Sequence, residues 1–230
     1  MTTLIEAELG AGRYVGHLEP GTPEWAATRA RRIGGSEIAA VLGLSPWESY
    51  FGSWHRKRGT IGPIEDTLLL RMGRRMEAPI ADEFAFQNPE LDVRTCPTYT
   101  HRDRDWQLIS PDRIAYDESG WIPVEIKHPH ATEEWGRGDE DIPVYYRCQL
   151  LWAMDVLEVE QHLLVAYFGG DDFRTYRIRY DQREAEILRR RGREFLDHVE
   201  AGDPLPTIDG HSATYQAVRE MHPDIDPESI

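Results

Sequence analysis

Apolar residues recur along this chain with two periods, and the switches between them order the predicted elements. Ile38, Val41 and Leu42 form a helical stripe that stops at Gly43, which predicts a short helix with Ser36 as N-cap and Glu37 in its first turn. A second helix is expected from Ser45-Pro46 through Trp47, Tyr50, Phe51 and Trp54 to Gly59, with proline at its first position. A third covers Ile64 to Phe86, ends at Asn88-Pro89 and can kink or split at Pro79. The period then changes to two. Val93 to Thr100, Trp106 to Ser110, Ile114 to Tyr116 and Trp121 to Lys127 read as strands, with a hairpin turn at Asp117-Glu118-Ser119-Gly120. A helix from Pro143 to Leu157, strands His162 to Phe168 and Phe173 to Tyr180, and a final helix Gln182 to Glu200 complete the series. Helices, strands, helix, strands, helix imply one α/β domain with a mixed sheet flanked by helices.

Composition narrows the class. In 230 residues, 40% hydrophobic and 10% aromatic, there is enough apolar material for one sizeable core, which excludes wholesale disorder. The longest apolar runs, Leu68 to Leu70 and Leu163 to Phe168, fall far short of the roughly 20 residues of a membrane span. The N-terminus lacks the basic-then-apolar layout of a signal peptide, so a cytoplasmic protein is expected. Cys96 and Cys148 alone make neither a four-cysteine metal site nor a disulfide framework and read as buried thiols.

The net charge of −15 argues, on its face, against a nucleic-acid partner. Its distribution changes that inference. Between Glu24 and Arg75 nine basic residues face five acidic ones, and Trp25, Trp47, Tyr50, Phe51 and Trp54 lie among them. From Asp197 onward eight acids face the single Arg219, an acidic tail with one short helix near Tyr215.

Four places hold polar residues where folding alone does not ask for them. In Ile122-Pro123-Val124-Glu125-Ile126-Lys127, alternation puts Glu125 and Lys127 on one face with Cα atoms about 7 Å apart. That pair suits an acid holding a divalent cation and a lysine orienting water, although a solvent-facing ion pair has the same pattern. Asp112, in the turn Ser110-Pro111-Asp112-Arg113, opens a hairpin that returns through Glu125, so two carboxylates can meet around Mg²⁺ or Mn²⁺; a turn residue capping its own backbone is the plainer reading. Glu77 shares a helical stripe with Ile80-Ala81 and Phe84 and needs a partner there, either Arg74 or the same metal. Arg29 to Ser36 sets a basic cluster before a helix N-terminus bearing a hydroxyl, which suits a phosphate and equally an ordinary capped helix.

In this order the residues resemble the λ-exonuclease and YqaJ-like viral recombinase branch of the PD-(D/E)xK nucleases. The resemblance spans Thr22 to Ala201 and rests on Trp25 with Arg29, on Ile33-Gly34-Gly35-Ser36-Glu37-Ile38-Ala39-Ala40-Val41-Leu42-Gly43, and on Gly73 with Glu77. It continues in Ser110-Pro111-Asp112 and Val124-Glu125-Ile126-Lys127-His128-Pro129, then Tyr145-Tyr146-Arg147-Cys148-Gln149-Leu150 and Phe173 to Ile178. It implies a restriction-endonuclease-like core with an N-terminal helical portion, a nuclease domain over 22–201, an N-terminal extension over 1–21 and an acidic tail over 202–230. It implies a DNA exonuclease, 5′→3′ on duplex ends, in phage-type recombination by single-strand annealing, encoded by a phage or prophage in a bacterial host. Asp112, Glu125, the Ile126 carbonyl and Glu77 would hold Mg²⁺, with Mn²⁺ a possible substitute. Lys127 would act on the attacking water, Tyr146 and Gln149 would support the site, and Arg29, Ser36 and Arg32 would bind the 5′-phosphate. A single-strand annealing protein as partner and a ring-shaped trimer are implied in the same way. Arg113 stands where the family usually has glycine, Leu151 where a second glutamine is frequent, and His128 where a small residue is commoner.

The same residues admit other readings. An endonuclease or repair nuclease on the same core is one, although two cysteines cannot supply its iron–sulfur versions. A non-catalytic DNA-end-binding module is opposed by the intact Asp112, Glu125 and Lys127. A zinc site on His128 and His130 with His55, His101 or His162 has poor spacing.

Overall fold

A computed structural model of the chain describes residues 9–118 and 120–224. Ser119 of the predicted turn, residues 1–8 of the expected extension and 225–230 of the expected tail lie outside the described residues. The N-terminal part contains β1 (Gly12–Gly16), α1 (Pro23–Arg29), β2 (Ile33–Gly34), α2 (Gly35–Val41), α3 (Tyr50–Arg58) and α4 (Leu68–Gln87). There follow β3 (Asp92–Thr95), β4 (Thr98–His101), β5 (Gln107–Ile109), β6 (Arg113–Asp117) and β7 (Gly120–Lys127). The chain continues through α5 (Val144–Leu157), β8 (Gln161–Gly169), β9 (Asp172–Arg179), α6 (Gln182–Ala201) and α7 (Ser212–Met221).

The expected mixed sheet is present as the order β3-β6-β7-β8-β9, antiparallel except where β7 and β8 run parallel. A second sheet, β1-β4-β5-β2, was not anticipated. The predicted strand Val93 to Thr100 is divided between the two sheets at Cys96-Pro97, because proline has no N–H to continue a ladder. Pro123 is tolerated in central β7 because pairing with β8 begins only at Val124.

Layering follows strand alternation. Ile122, Val124 and Ile126 of β7, with Leu163 and Val165 of β8, pack on Ile80, Ala81 and Phe84 of α4. The intervening Leu164 and Ala166 face the larger cluster built around Leu150, Leu151, Trp152, Met154 and Leu157 of α5, with Ile38 of α2, Trp54 of α3 and Leu188, Phe195 and Leu196 of α6. Trp152 is fully buried and donates its indole N–H to the Ile33 carbonyl at 3.2 Å, which ties β2 to α5.

Three helix starts differ from expectation. Gly34, rather than Ser36, caps α2, and Glu37 accepts its N–H at 2.7 Å, the reciprocal half of a capping box. α3 begins at Tyr50 because Ser49 accepts from Gly52 N at 3.0 Å, whereas Ser45 spends its hydroxyl on the N–H groups of Trp47 and Glu48. α4 begins at Leu68 behind the Thr67 cap and runs unbroken through Pro79.

Chain outside 22–201 also contributes regular elements. Gly10, at φ +55°, brings the chain just before β1, the strand that pairs with β4, so close to α5 that a Cβ would lie 1.9 Å from the Leu157 carbonyl oxygen. α7 packs Ala217 against Phe51 and Ile61, and His211 Nε2 donates to the Ser45 carbonyl at 3.0 Å.

Buried Asp155 of α5 gathers Arg189 at 2.5 Å, Gln107 at 3.0 Å, Tyr180 at 2.9 Å and Arg104 at 3.4 Å. Asp155→Ala leaves these donors without their common acceptor and is expected to lower unfolding stability by about 3–5 kcal/mol, read by urea denaturation. A loss within about 0.5 kcal/mol would show that the node contributes nothing to stability.

Candidate active site

Register places the candidate catalytic residues at one end of the β6–β7 pair. Arg113 pairs with Val124, so Asp112, just before β6, stands opposite Glu125. The Asp112 Oδ2 atom accepts the Ile126 N–H at 2.7 Å, which fixes its carboxylate against the peptide joining Glu125 to Ile126. Glu125 and Lys127 project together from β7, as alternation requires, on the face opposite Val124 and Ile126. Lys127 Nζ and Gln149 Nε2 both donate to Glu125 Oε1 at 2.5 Å. Lys127 also stands 5.2 Å from the centre of the Tyr146 ring. Tyr146 and Gln149, one turn apart on α5, therefore close the site from above β7.

Electrostatics follow from this crowding. Burial, and then the neighbouring charge of Glu125, push Asp112 well above the usual carboxylate range, against the pull of Lys127 and the Ile126 N–H. Burial alone would lower Lys127, yet Glu125 and Asp112 outweigh it, so the ammonium is held charged. Burial raises Tyr146, which keeps its phenol neutral and able to donate. Glu77 is half-buried and is raised by burial and by Glu125. Arg74, one of its two expected partners, pairs with Asp66 at 2.6 Å instead.

The donors fit a hard divalent cation in part. Asp112, Glu125 and the Ile126 carbonyl offer oxygen ligands where two carboxylates otherwise repel. Among the described residues no group of three or more His, Cys, Asp or Glu side chains converges as a metal site, while the charge of Glu77 helps to raise Asp112. His55 is bonded to Thr60, His101 to the N–H groups of Asp103 and Arg104, and His162 to the Leu163 carbonyl, so the zinc alternative finds its histidines engaged in separate places.

Arg29 and Ser36 do meet, with Arg29 Nη2 3.4 Å from Ser36 Oγ. Arg32 does not join them: its guanidinium is held by the carbonyls of Asp105 and Thr28, each at 2.8 Å. Glu37 organises the group by pairing with Arg29 at 2.7 Å and with Lys57 at 2.8 Å. Lys57 in turn caps the carbonyls of Arg29 and Arg32. Glu37 was legible in its capping-box spacing to Gly34, whereas nothing local marked Lys57, which α3 delivers from twenty residues away. Gly35 links the two groups, since a Cβ there would touch the Gln149 side chain at 3.3 Å and its carbonyl at 3.4 Å.

Known proteins share this architecture. Residues 24–160 match the family described as the YqaJ-like viral recombinase domain. The chain is 25% identical over 203 residues to the uncharacterized protein YqaJ of Bacillus subtilis (strain 168), covering 86% of this chain and 63% of that protein, less than two thirds of its length. Its fold is similar to the alkaline exonuclease LHK-Exo from Laribacter hongkongensis (TM-score 0.63, 19% identity, 79% of this chain and 94% of that one). It is also similar to a phage related exonuclease from Haemophilus somnus 129PT (TM-score 0.56, 10% identity, 75% and 96%). At such identities these two likenesses concern the fold alone. The family match extends over more than half of the chain and takes in Arg29, Ser36, Asp112, Glu125, Lys127 and Gln149. This chain therefore belongs to the family of the YqaJ-like viral recombinase domain.

Proposed function

We propose that this protein is a Mg²⁺-dependent deoxyribonuclease that degrades linear duplex DNA exonucleolytically, 5′→3′ from phosphorylated ends, in phage-type recombination beside a single-strand annealing protein. The observation that carries this reading is the set Asp112, Glu125 and Lys127, two crowded carboxylates with a charged lysine bonded to one of them. Family membership and the fold shared with exonucleases support it. A ring trimer and a bacterial cytoplasmic setting belong to the same reading. Among the described residues no helix is long and apolar enough to cross a membrane.

Asp112, Glu125 and the Ile126 carbonyl would hold the cation, with Glu77 assisting from α4. When bound, Mg²⁺ supplies an activated water and offsets charge on the phosphoryl oxygens. Lys127, kept protonated, orients that water and adds a positive centre for the negative charge that grows in the transition state. Gln149 holds the Glu125 carboxylate in one orientation, and the neutral Tyr146 hydroxyl is a donor at the rim. Arg29 and Ser36 would receive a 5′-phosphate, with Glu37 and Lys57 fixing the guanidinium.

Three outcomes are expected. With Mg²⁺, linear duplex bearing a 5′-phosphate is lost faster than 5′-hydroxyl duplex and closed circles survive, while Lys127→Ala reduces the rate roughly 100- to 1,000-fold. Cleavage of circles would move the protein to the endonuclease reading, and full activity in the variant would remove Lys127 from the site. Arg29→Ala is expected to abolish the preference for phosphorylated ends; a preserved preference places the phosphate contact elsewhere. The third outcome concerns stability. Because the fold raises the Asp112 pKa, the metal-free protein loses stability as pH rises through that value and regains it below. Asp112→Asn should therefore raise the metal-free melting temperature at pH 8, by about 2–4 °C for each kcal/mol relieved, with the gain shrinking toward acid pH. Mg²⁺ should raise the melting temperature of the wild type but not of this variant. An unstabilised variant that still responds to Mg²⁺ would refute Asp112 as a ligand.

A further inference from the structure

Of the five aromatic residues in the basic stretch, four are occupied by the fold. Trp54 and Phe51 are buried, Tyr50 bonds to His198 Nδ1 at 2.8 Å and meets Phe195 edge-on, and Trp25 carries the Arg29 guanidinium 4.8 Å above its ring. Trp47 is 60% exposed. A lone exposed aromatic is ordinary on a protein surface. Two observations set this one apart. Its backbone is fixed: Ser45 Oγ accepts the N–H groups of Trp47 and Glu48 at 3.2 Å, Glu48 pairs with Arg56 at 2.8 Å, and His211, the N-cap of α7, holds the Ser45 carbonyl at 3.0 Å. Its place is also at the candidate site, for the indole meets Tyr145 edge-on at 4.8 Å and Tyr146 at 5.9 Å, and Tyr146 is the ring beside Lys127.

We propose that Trp47 is the stacking platform for the nucleobase next to the phosphodiester that Lys127 addresses, a positioning contact that depends on the nuclease reading above. An enzyme that degrades DNA of any sequence needs a contact offered equally by all four bases, and that contact is the π-face. A terminal base pair presents one such face already unstacked. The indole, held one aromatic ring away from Lys127, covers that face and sets the register between strand end and scissile bond. The positive surplus of its own segment attracts the adjoining phosphates.

Steady-state kinetics with Mg²⁺ on linear duplex test this, using wild type, Trp47→Phe and Trp47→Leu, and an abasic nucleotide walked through the three terminal positions of each strand. Trp47→Leu is expected to raise KM roughly 5- to 100-fold with a smaller change in kcat, while Trp47→Phe stays within a few-fold of wild type. One abasic position should raise the wild-type KM by a similar factor and add nothing further in Trp47→Leu. An unaltered KM in Trp47→Leu, with wild type degrading DNA, overturns the stacking assignment and leaves the nuclease reading intact. Losses from the abasic nucleotide and from Trp47→Leu that multiply overturn it too, since Trp47 would then act by packing on Tyr145 and Tyr146. A wild type that degrades no DNA overturns both.

Discussion

The carboxylate of Glu125 is the constraint around which this molecule is arranged. It is 5% exposed near the end of a central strand, where an ionised acid is costly unless it is paired and hydrogen-bonded. Lys127 supplies the charge from the same face of β7, and Gln149 supplies a second donor from α5. Asp112 is added by the β6–β7 register and by the Ile126 N–H. Three separate stretches of chain must therefore converge before this strand end is tolerable, and the proposed cation would sit at the same convergence.

Helix α5 carries that convergence outward. Its Gln149 touches Glu125 on one side and lies against Gly35 on the other, so the start of α2, with Arg29 and Ser36, is held at the candidate catalytic end of the sheet. Trp152, one turn beyond Gln149, bonds to the Ile33 carbonyl and stabilises the same approach. A phosphate held by Arg29 and a phosphodiester beside Lys127 would thus be referred to one rigid helix.

The formal charge of −15 is a poor guide to this surface. In the basic stretch, Glu37 fixes Arg29 and Lys57, Glu48 fixes Arg56, and Asp66 fixes Arg74, so acids there position cations as well as offset them. The acidic C-terminal part is equally structural, because α7 packs on α3 and His211 steadies the loop that presents Trp47.

The periodicity of β7 determined that Glu125 and Lys127 share a face, because side chains of any strand alternate. The stripe of α4, the helix ending at Leu157 and the strands on either side of residue 170 were legible for the same reason: local geometry is set by covalent structure and short-range packing. The division of Val93 to Thr100 between two sheets was not, since Pro97 shows that a ladder breaks without showing which strands each half will join. Nor could Ser45 and Ser49 be ranked as caps, as both are chemically competent and only the path of the loop decided between them. Lys57 on Glu37, Gln149 on Glu125, Arg32 turned away to the Asp105 carbonyl and Trp47 left open beside Tyr146 were all decided by tertiary structure. Each depends on the distance between segments far apart in sequence, and that distance exists only once the core around Trp152 has closed.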